Sequence, residues 1–260
     1  MKILVTNDDG VFAPGIVTLA SCLFENGFEP FVVAPDRERS SVGHAITLTR
    51  PLRLWKITGG QYPEGLVAHV CDGTPSDCVV LGLEAEETGA DMVISGINRG
   101  PNLGDDLTYS GTVSAAVEGH FLGKAAIAVS LDCSPEDEMH HYKTAAEAVV
   151  AIIRKFPLLF WQNKPLLNIN VPNLPRHEIR GIKVTKKGFR YYSEKVTRLL
   201  DPKGNEFFWV SGNPENRLDE GSDVTAVSEG FISVTPIHLD LTDYPAIDTL
   251  RREGFEKLKF

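Results

Sequence analysis

Two adjacent carboxylates, Asp8 and Asp9, stand between Asn7 and Gly10, directly after the apolar run at residues 3–5. Neighbouring residues of a strand point to opposite faces. Both carboxylates can therefore reach one point only where the chain leaves the strand and turns, and Gly10 permits that turn. Side by side they repel each other unless a cation lies between them. Carboxylate, hydroxyl and amide oxygens together suit a hard divalent ion such as Mg²⁺ or Mn²⁺. The alternative is an ordinary turn, or a cap on the helix that follows.

Two further polar clusters occupy equivalent positions. Asp36-Arg37-Glu38-Arg39-Ser40-Ser41 runs on to Gly43-His44 after the apolar run at 31–34. It offers Ser40 and Ser41 as hydroxyl ligands, Arg37 and Arg39 for anions, and His44 as a general acid. The alternatives are a solvated charged loop and a histidine held by packing. Ser95-Gly96-Ile97-Asn98-Arg99-Gly100-Pro101-Asn102 follows the run at 92–94 and continues to Ser110-Gly111-Thr112. Hydroxyls and free backbone N–H groups at the start of a helix attract phosphate, although Ser110 or Thr112 could equally serve as a plain N-cap. The GxxxxGK[ST] phosphate loop is absent, and Asp8-Asp9 lacks the DxD spacing of phosphatases that use an aspartate nucleophile.

The elements that must position these clusters are legible as an alternation. Residues 3–5, 31–34, 92–94, 126–129 and 167–171 are short apolar runs. Ile16, Val17, Leu19, Ala20, Leu23 and Phe24 recur at helical spacing before Gly27. Thr74-Pro75-Ser76-Asp77 has the form of a helix start. Helices are expected from near Thr112 and over 142–156, and residues 45–71 read as extended or hairpin structure with Gly59-Gly60 as the turn. Strands separated by helices of this length make parallel crossovers. The expected fold is α/β: a three-layer, Rossmann-like, mostly parallel sheet, with all three clusters outside the carboxyl ends of its strands, where ligands of such sheets bind. Patterns such as Val224-Thr-Ala-Val and Phe231-Ile-Ser-Val predict β structure over 181–238, followed by a helix over 243–260. The expected division is a catalytic α/β domain over 1–180 and a β-rich, oligomerising extension with a terminal helix over 181–260. Isolated hairpins are marginal in water and expose unpaired edges, so this region is expected to pack on a neighbouring subunit, giving a homodimer at least.

The 260 residues carry a net charge of -9, with 42% hydrophobic and 23% charged residues. This describes an ordinary globular protein and argues against general binding of nucleic-acid polymers, which calls for a basic face. A small anionic substrate is compatible with it, since a metal and a few arginines can reverse the local field. No secretory leader pattern and no run of 18 apolar residues is present. Cys22, Cys71, Cys78 and Cys133 form no CxxC pair, which fits buried, reduced thiols. The expected setting is cytoplasmic, with no membrane partner.

The motifs taken together closely resemble the SurE family, the stationary-phase survival protein E nucleotidases. The matching stretches are Ile3-Leu-Val-Thr-Asn-Asp-Asp-Gly10, Ala13-Pro-Gly-Ile16, Val33-Ala-Pro-Asp-Arg-Glu-Arg-Ser40 and Gly43-His44. Gly73-Thr-Pro-Ser-Asp-Cys-Val79, Ser95-Gly-Ile-Asn-Arg-Gly-Pro-Asn-Leu-Gly104, Tyr109-Ser-Gly-Thr-Val113 and Ala116-Val-Glu-Gly119 follow in order. Ser222-Asp-Val, Ile232-Ser-Val-Thr-Pro236 and Leu239-Asp-Leu-Thr-Asp243 complete the series. The resemblance implies one divalent metal held by Asp8, Asp9, Ser40 and Asn98, with Asn102 and Ser110 lining the phosphate side. It implies hydrolysis of nucleoside 5′- and 3′-monophosphates to nucleoside and phosphate, and in some members of short polyphosphate. The alternatives are a non-catalytic nucleotide-binding sensor, which needs no paired carboxylates, and a polyphosphatase or pyrophosphatase.

Overall fold

Residues 3–5 are fully buried because their strand lies in the interior of the sheet, covered on both faces. The computed structural model describes every residue except 58–60, 87, 135, 194–195, 211 and 260; the turn expected at Gly59-Gly60 falls outside the described residues. The first half of the chain runs β1 (Lys2–Thr6), α1 (Pro14–Glu25), β2 (Glu29–Pro35), β3 (Leu54–Lys56), β4 (Val67–Cys71), α2 (Pro75–Val80), β5 (Met92–Arg99) and α3 (Gly111–Phe121). It continues with β6 (Ala125–Asp132), α4 (Tyr142–Lys155), β7 (Leu166–Pro172), β8 (Ile182–Val184), β9 (Phe189–Ser193), β10 (Val196–Leu200), β11 (Glu206–Val210) and β12 (Asn213–Arg217). It closes with α5 (Asp223–Ser228), β13 (Ile232–Pro236) and α6 (Tyr244–Arg252).

Among the described residues the central sheet has nine strands in the order β3-β4-β2-β1-β5-β6-β7-β13-β8. From β4 to β7 the pairings are all parallel. The edge strand β3 is antiparallel to β4, and β13 is antiparallel to β7 and parallel to β8. Alternation along β1 decides which helices cover which face. Ile3 and Val5 pack with Ile16, Leu19 and Leu23 of α1 and with Val149 and Ile153 of α4. Leu4 points the other way, into a cluster with Val33, Val79 of α2, Val93 and Ala115 of α3. Full burial of each such aliphatic side chain contributes about 1.5–3 kcal/mol. The chain leaves β1 toward β2 and later returns to β5 on the other side of β1, so the strand order reverses at the β1–β5 crevice, where α/β sheets bind ligands.

The last third departs from expectation at two points. Val224-Thr-Ala-Val belongs to the helix α5, not to a strand. Ser222 accepts from the Thr225 N–H at 3.2 Å as the N-cap, and the buried Asp223 carboxylate takes the N–H groups of Gly188 (2.7 Å) and Gly104 (3.1 Å). These contacts outweigh the strand preference of two valines and a threonine. The terminal helix is also shorter than expected: α6 ends at Arg252, and a single 3₁₀ turn follows over Phe255–Lys257. β8 and β13 join the main sheet, which therefore continues across the 180/181 division. β9 pairs with β12, and β10 with β11 beyond them, as a two-part antiparallel arm.

Candidate active site

The site is built at the carboxyl ends of β1, β2 and β5. After β1, the Asn7 side chain closes a small ring with Gly10, accepting from its N–H at 3.2 Å and donating to its carbonyl at 2.9 Å. Gly10 has φ of +99° and lies so close to Arg37 that a Cβ would sit 3.2 Å from that residue's carbonyl carbon. The turn therefore requires glycine both for its conformation and for the approach of the 36–40 loop. Arg39 N–H donates to the Asp8 carbonyl at 2.7 Å, fastening the loop that carries Ser40 to the carboxylate pair.

Asp8 is buried, and its Oδ1 accepts from the Thr112 hydroxyl on α3. Gly111, the first residue of that helix, is packed against it: a Cβ there would stand 2.9 Å from the Asp8 Cβ and Oδ2. The N-terminus of α3, with its positive dipole end, thus faces the carboxylates. Asp9 Oδ2 accepts from the Arg99 N–H at 3.0 Å, which ties the pair to the end of β5. Burial is the main cause that pushes both carboxyls upward. Asp9 rises from 3.8 to about 6, with the neighbouring Asp8 charge as the second cause, and Glu38 acts on both in the same direction.

Asn98 lies on β5 itself, just past an irregularity where the register to β6 shifts between Ser95 and Asn98; it is not on the loop after the strand. Its Nδ2 donates to the Gly100 carbonyl at 2.9 Å, which leaves Oδ1 as the end free for a cation. Ser40 is exposed, and its hydroxyl donates to Glu38 Oε1 at 2.6 Å. Ser110 is the N-cap of α3: its Oγ accepts from the Val113 N–H at 3.0 Å and keeps its own proton for another acceptor. Asn102 is buried, with its Nδ2 on Ser130 Oγ at 2.7 Å. His44 stands 2.7 Å from Glu118 Oε2 in the middle of α3 and stacks on Phe121, so its imidazole is taken up by pairing and packing.

Several supporting residues were not singled out from the sequence. Asn170 Oδ1 accepts from the Asn102 N–H at 2.8 Å, while Asn168 and Asn170 both donate to its carbonyl, at 2.9 and 3.0 Å. The available signal was Asn168-Ile169-Asn170, two amides on one face of a wholly buried strand, a placement that needs dedicated partners. Glu38 and Thr112 lay inside motifs already noted, but only the fold brings them to Asp8.

Among the described residues no group of three or more His, Cys, Asp or Glu side chains is arranged to hold a metal. The donors available here are two carboxylates with hydroxyl and amide oxygens. Two mutually repelling carboxylates, Asp8 buried and Asp9 partly so, beside a free amide oxygen have the chemistry of a hard-cation site, so the residues fit such an ion.

The family model described as Survival protein SurE matches residues 3–194. The chain belongs to the SurE family. It is 48% identical to a protein of Geobacter sulfurreducens named 5′-nucleotidase SurE, over 96% of this chain and 93% of that one. It is likewise 48% identical to a Cronobacter sakazakii protein named 5′/3′-nucleotidase SurE, over 97% of this chain and 96% of that one. The crystal structure of the SurE protein from Aquifex aeolicus superposes with a TM-score of 0.82 at 42% identity, covering 97% of this chain and 99% of that one. The expected mostly parallel sheet with helices on both faces is thus the fold of this SurE-family chain, and no helix among its described residues is long and apolar enough to cross a membrane.

Proposed function

We propose that this chain is a metal-dependent phosphomonoesterase that hydrolyses nucleoside 5′- and 3′-monophosphates to nucleoside and phosphate. The observation that carries the reading is the Asp8–Asp9 pair, the first buried and the second partly so, set against the N-terminus of α3. The names of the relatives at 48% identity agree with it. Asp8, Asp9, Ser40 and Asn98 would hold one divalent ion, Mg²⁺ or Mn²⁺. When bound, the ion supplies charge neutralisation at the phosphoryl group and a lowered pKa for water. The Ser110 hydroxyl and the N–H groups that open α3 bind the phosphate oxygens, and the Asn102 amide lines the same side. Thr112 and Arg99 N–H orient the two carboxylates, one of which accepts the proton of the attacking water. Burial of Asp8 and of the Asn102 peptide keeps bulk water from competing for these groups.

A substrate panel on metal-stripped protein tests this. Phosphate release from AMP and 3′-AMP is expected only after Mn²⁺ or Mg²⁺ is restored, with tripolyphosphate slower. Nucleotide binding without turnover would make the chain a sensor, and a preference for tripolyphosphate over both nucleotides would make it a polyphosphatase.

The arm formed by β9–β12 and β10–β11 supports self-association as a homodimer or homotetramer. Phe207, Phe208, Trp209 and Val210 are consecutive and all more than half exposed, so both faces of β11 are apolar and uncovered. Burying such a surface against a second copy removes a patch that monomers seldom tolerate. At its base the arm is anchored beside the site. Arg190 Nη1 is 3.0 Å from Asp106 Oδ2, and the Tyr192 hydroxyl donates to Asp106 Oδ1 at 2.7 Å. The setting that fits free nucleotides as substrates is the cytoplasm.

A further inference from the structure

Beyond the 36–40 loop lies an open groove of about 910 Å³. The loop forms one wall and β3 with the segment before it forms the other. Four guanidinium groups line it, from Arg37, Arg39, Arg50 and Arg53, against two carboxylates, Asp36 and Asp72. Four positive less two negative leaves +2 in a protein whose overall charge is -9. The two carboxylates are occupied by only part of that set. Arg39 Nη2 meets Asp36 Oδ1 at 3.1 Å and the Asp72 carbonyl at 2.9 Å. Arg50 meets Asp72 Oδ2 at 3.1 Å and its carbonyl at 2.6 Å. Arg53 donates its backbone N–H to Asp72 Oδ1 at 2.9 Å, but among the described residues its guanidinium has no carboxylate within 4.0 Å, and Arg37 comes only to 3.8 Å of Asp36 with its side chain 69% exposed. Arg39 Nε is buried without a hydrogen-bond partner. Trp55 on β3 lines the same groove with 45% of its surface exposed.

Planar guanidinium forks match phosphate oxygens in pairs, and an exposed tryptophan offers a base a stacking surface. The wall that carries Arg37 and Arg39 is the one whose Arg39 N–H is bonded to the Asp8 carbonyl and whose Ser40 belongs to the proposed metal ligands. We propose that this groove is a phosphate subsite separate from the metal centre, which takes a second phosphoryl group carried by a nucleotide whose other phosphate is at Asp8–Asp9, with Trp55 against the base. The proposal rests on the phosphatase reading for its occupant. A phosphate anion bound independently of the substrate would satisfy the same groove chemistry.

Two arms separate these cases, both on the full-length protein. In the first, kcat/KM is measured with Mn²⁺ for AMP and for adenosine 3′,5′-bisphosphate, in wild type, Arg53→Gln, Trp55→Ala and the Arg37→Gln/Arg53→Gln double variant. Loss of one charge-assisted hydrogen bond corresponds to roughly tenfold or more. The ratio of bisphosphate to AMP efficiency should therefore fall about tenfold in Arg53→Gln and further in the double variant, through KM, with Arg53→Lys recovering part of it. In the second arm, metal-stripped protein in EDTA is titrated calorimetrically with pyrophosphate. Wild type should bind and the double variant should not. Loss of binding with an unchanged substrate ratio supports the groove and assigns it to a separate anion. Loss of binding in a protein that turns over neither nucleotide removes the phosphatase reading and leaves the subsite standing. An unchanged ratio together with equal pyrophosphate binding in wild type and double variant overturns the proposal.

Discussion

Asp9→Asn should make the metal-stripped protein more stable at pH 8 while impairing its turnover. The Asp9 carboxyl is raised from 3.8 to about 6. The folded state therefore binds a proton more tightly than the unfolded chain, and stability is fully present below about pH 4. It is lost as pH rises from 4 through 6, and above that the whole cost applies. At 1.36 kcal/mol per pH unit, the difference between 3.8 and about 6 corresponds to about 3 kcal/mol. Asp9 is only partly buried, so screening reduces the observable part to about 1–2 kcal/mol. Asparagine keeps an oxygen for the Arg99 N–H and removes the charge. For a chain of this size, 1 kcal/mol moves Tm by about 2–4 °C, so the variant should melt roughly 5 °C above wild type at pH 8 in EDTA and level with it at pH 4. Saturating Mn²⁺ should reverse the order, since the wild-type pair binds the ion more tightly. Differential scanning calorimetry across pH, with and without Mn²⁺, measures all four conditions. A variant that melts below wild type at pH 8 in EDTA would refute the claim that ionised Asp9 is held in this site at a cost to the fold.

Thr112→Val removes the hydroxyl that serves Asp8 Oδ1 and should lower kcat/KM about tenfold or more, with a conservative Thr112→Ser change recovering most of it in steady-state assays. Ser110→Ala should cost about ten- to hundredfold in kcat/KM through a lost phosphate contact, and about 1 kcal/mol of stability through the lost cap, while Mn²⁺ affinity by calorimetry stays close to wild type; a collapse of that affinity would place Ser110 on the ion. Asn170→Leu should loosen the Asn102 peptide and lower Tm by several degrees together with kcat, whereas an unchanged kcat would separate that clamp from catalysis. Replacing residues 194–211 with a short turn joining β9 to β12 should reduce the mass seen by light scattering to that of a monomer; a mass equal to wild type would remove the arm from the interface.

The half of the fold that carries the chemistry was legible because its signals are local. Apolar runs of strand length, helical spacing from Ile16 to Phe24 and the capping box of Thr74 and Asp77 all reappear, the last with both reciprocal hydrogen bonds. The positions of Asp8 and Asp9 followed from a strand ending in a glycine turn. The misses share one cause, which is tertiary contact. Val224, Thr225 and Val227 carry the residue preference of a strand, yet the Asp223 carboxylate, accepting from two distant glycine N–H groups, holds the segment as a helix. Asn98 looked like a loop residue because β5 continues past an irregularity that no local pattern announces. The clamp on Asn102 joins residues 66 and 68 positions apart, beyond the reach of any periodicity.

The place of β13 in the sheet bears on how the chain is made. β7, buried throughout and rich in apolar side chains, takes its second neighbour from a strand that begins roughly 60 residues later. At about 5–20 residues per second, a growing chain waits about 3–12 s between completing one and delivering the other. For that interval the two thirds already synthesised carry an open edge of bare N–H and carbonyl groups, flanked by the exposed aromatic arm as it emerges. A nascent chain arrested between Pro172 and Ile232 should therefore be the form most prone to aggregate and most dependent on chaperones, and release of the last 30 residues should end that dependence abruptly.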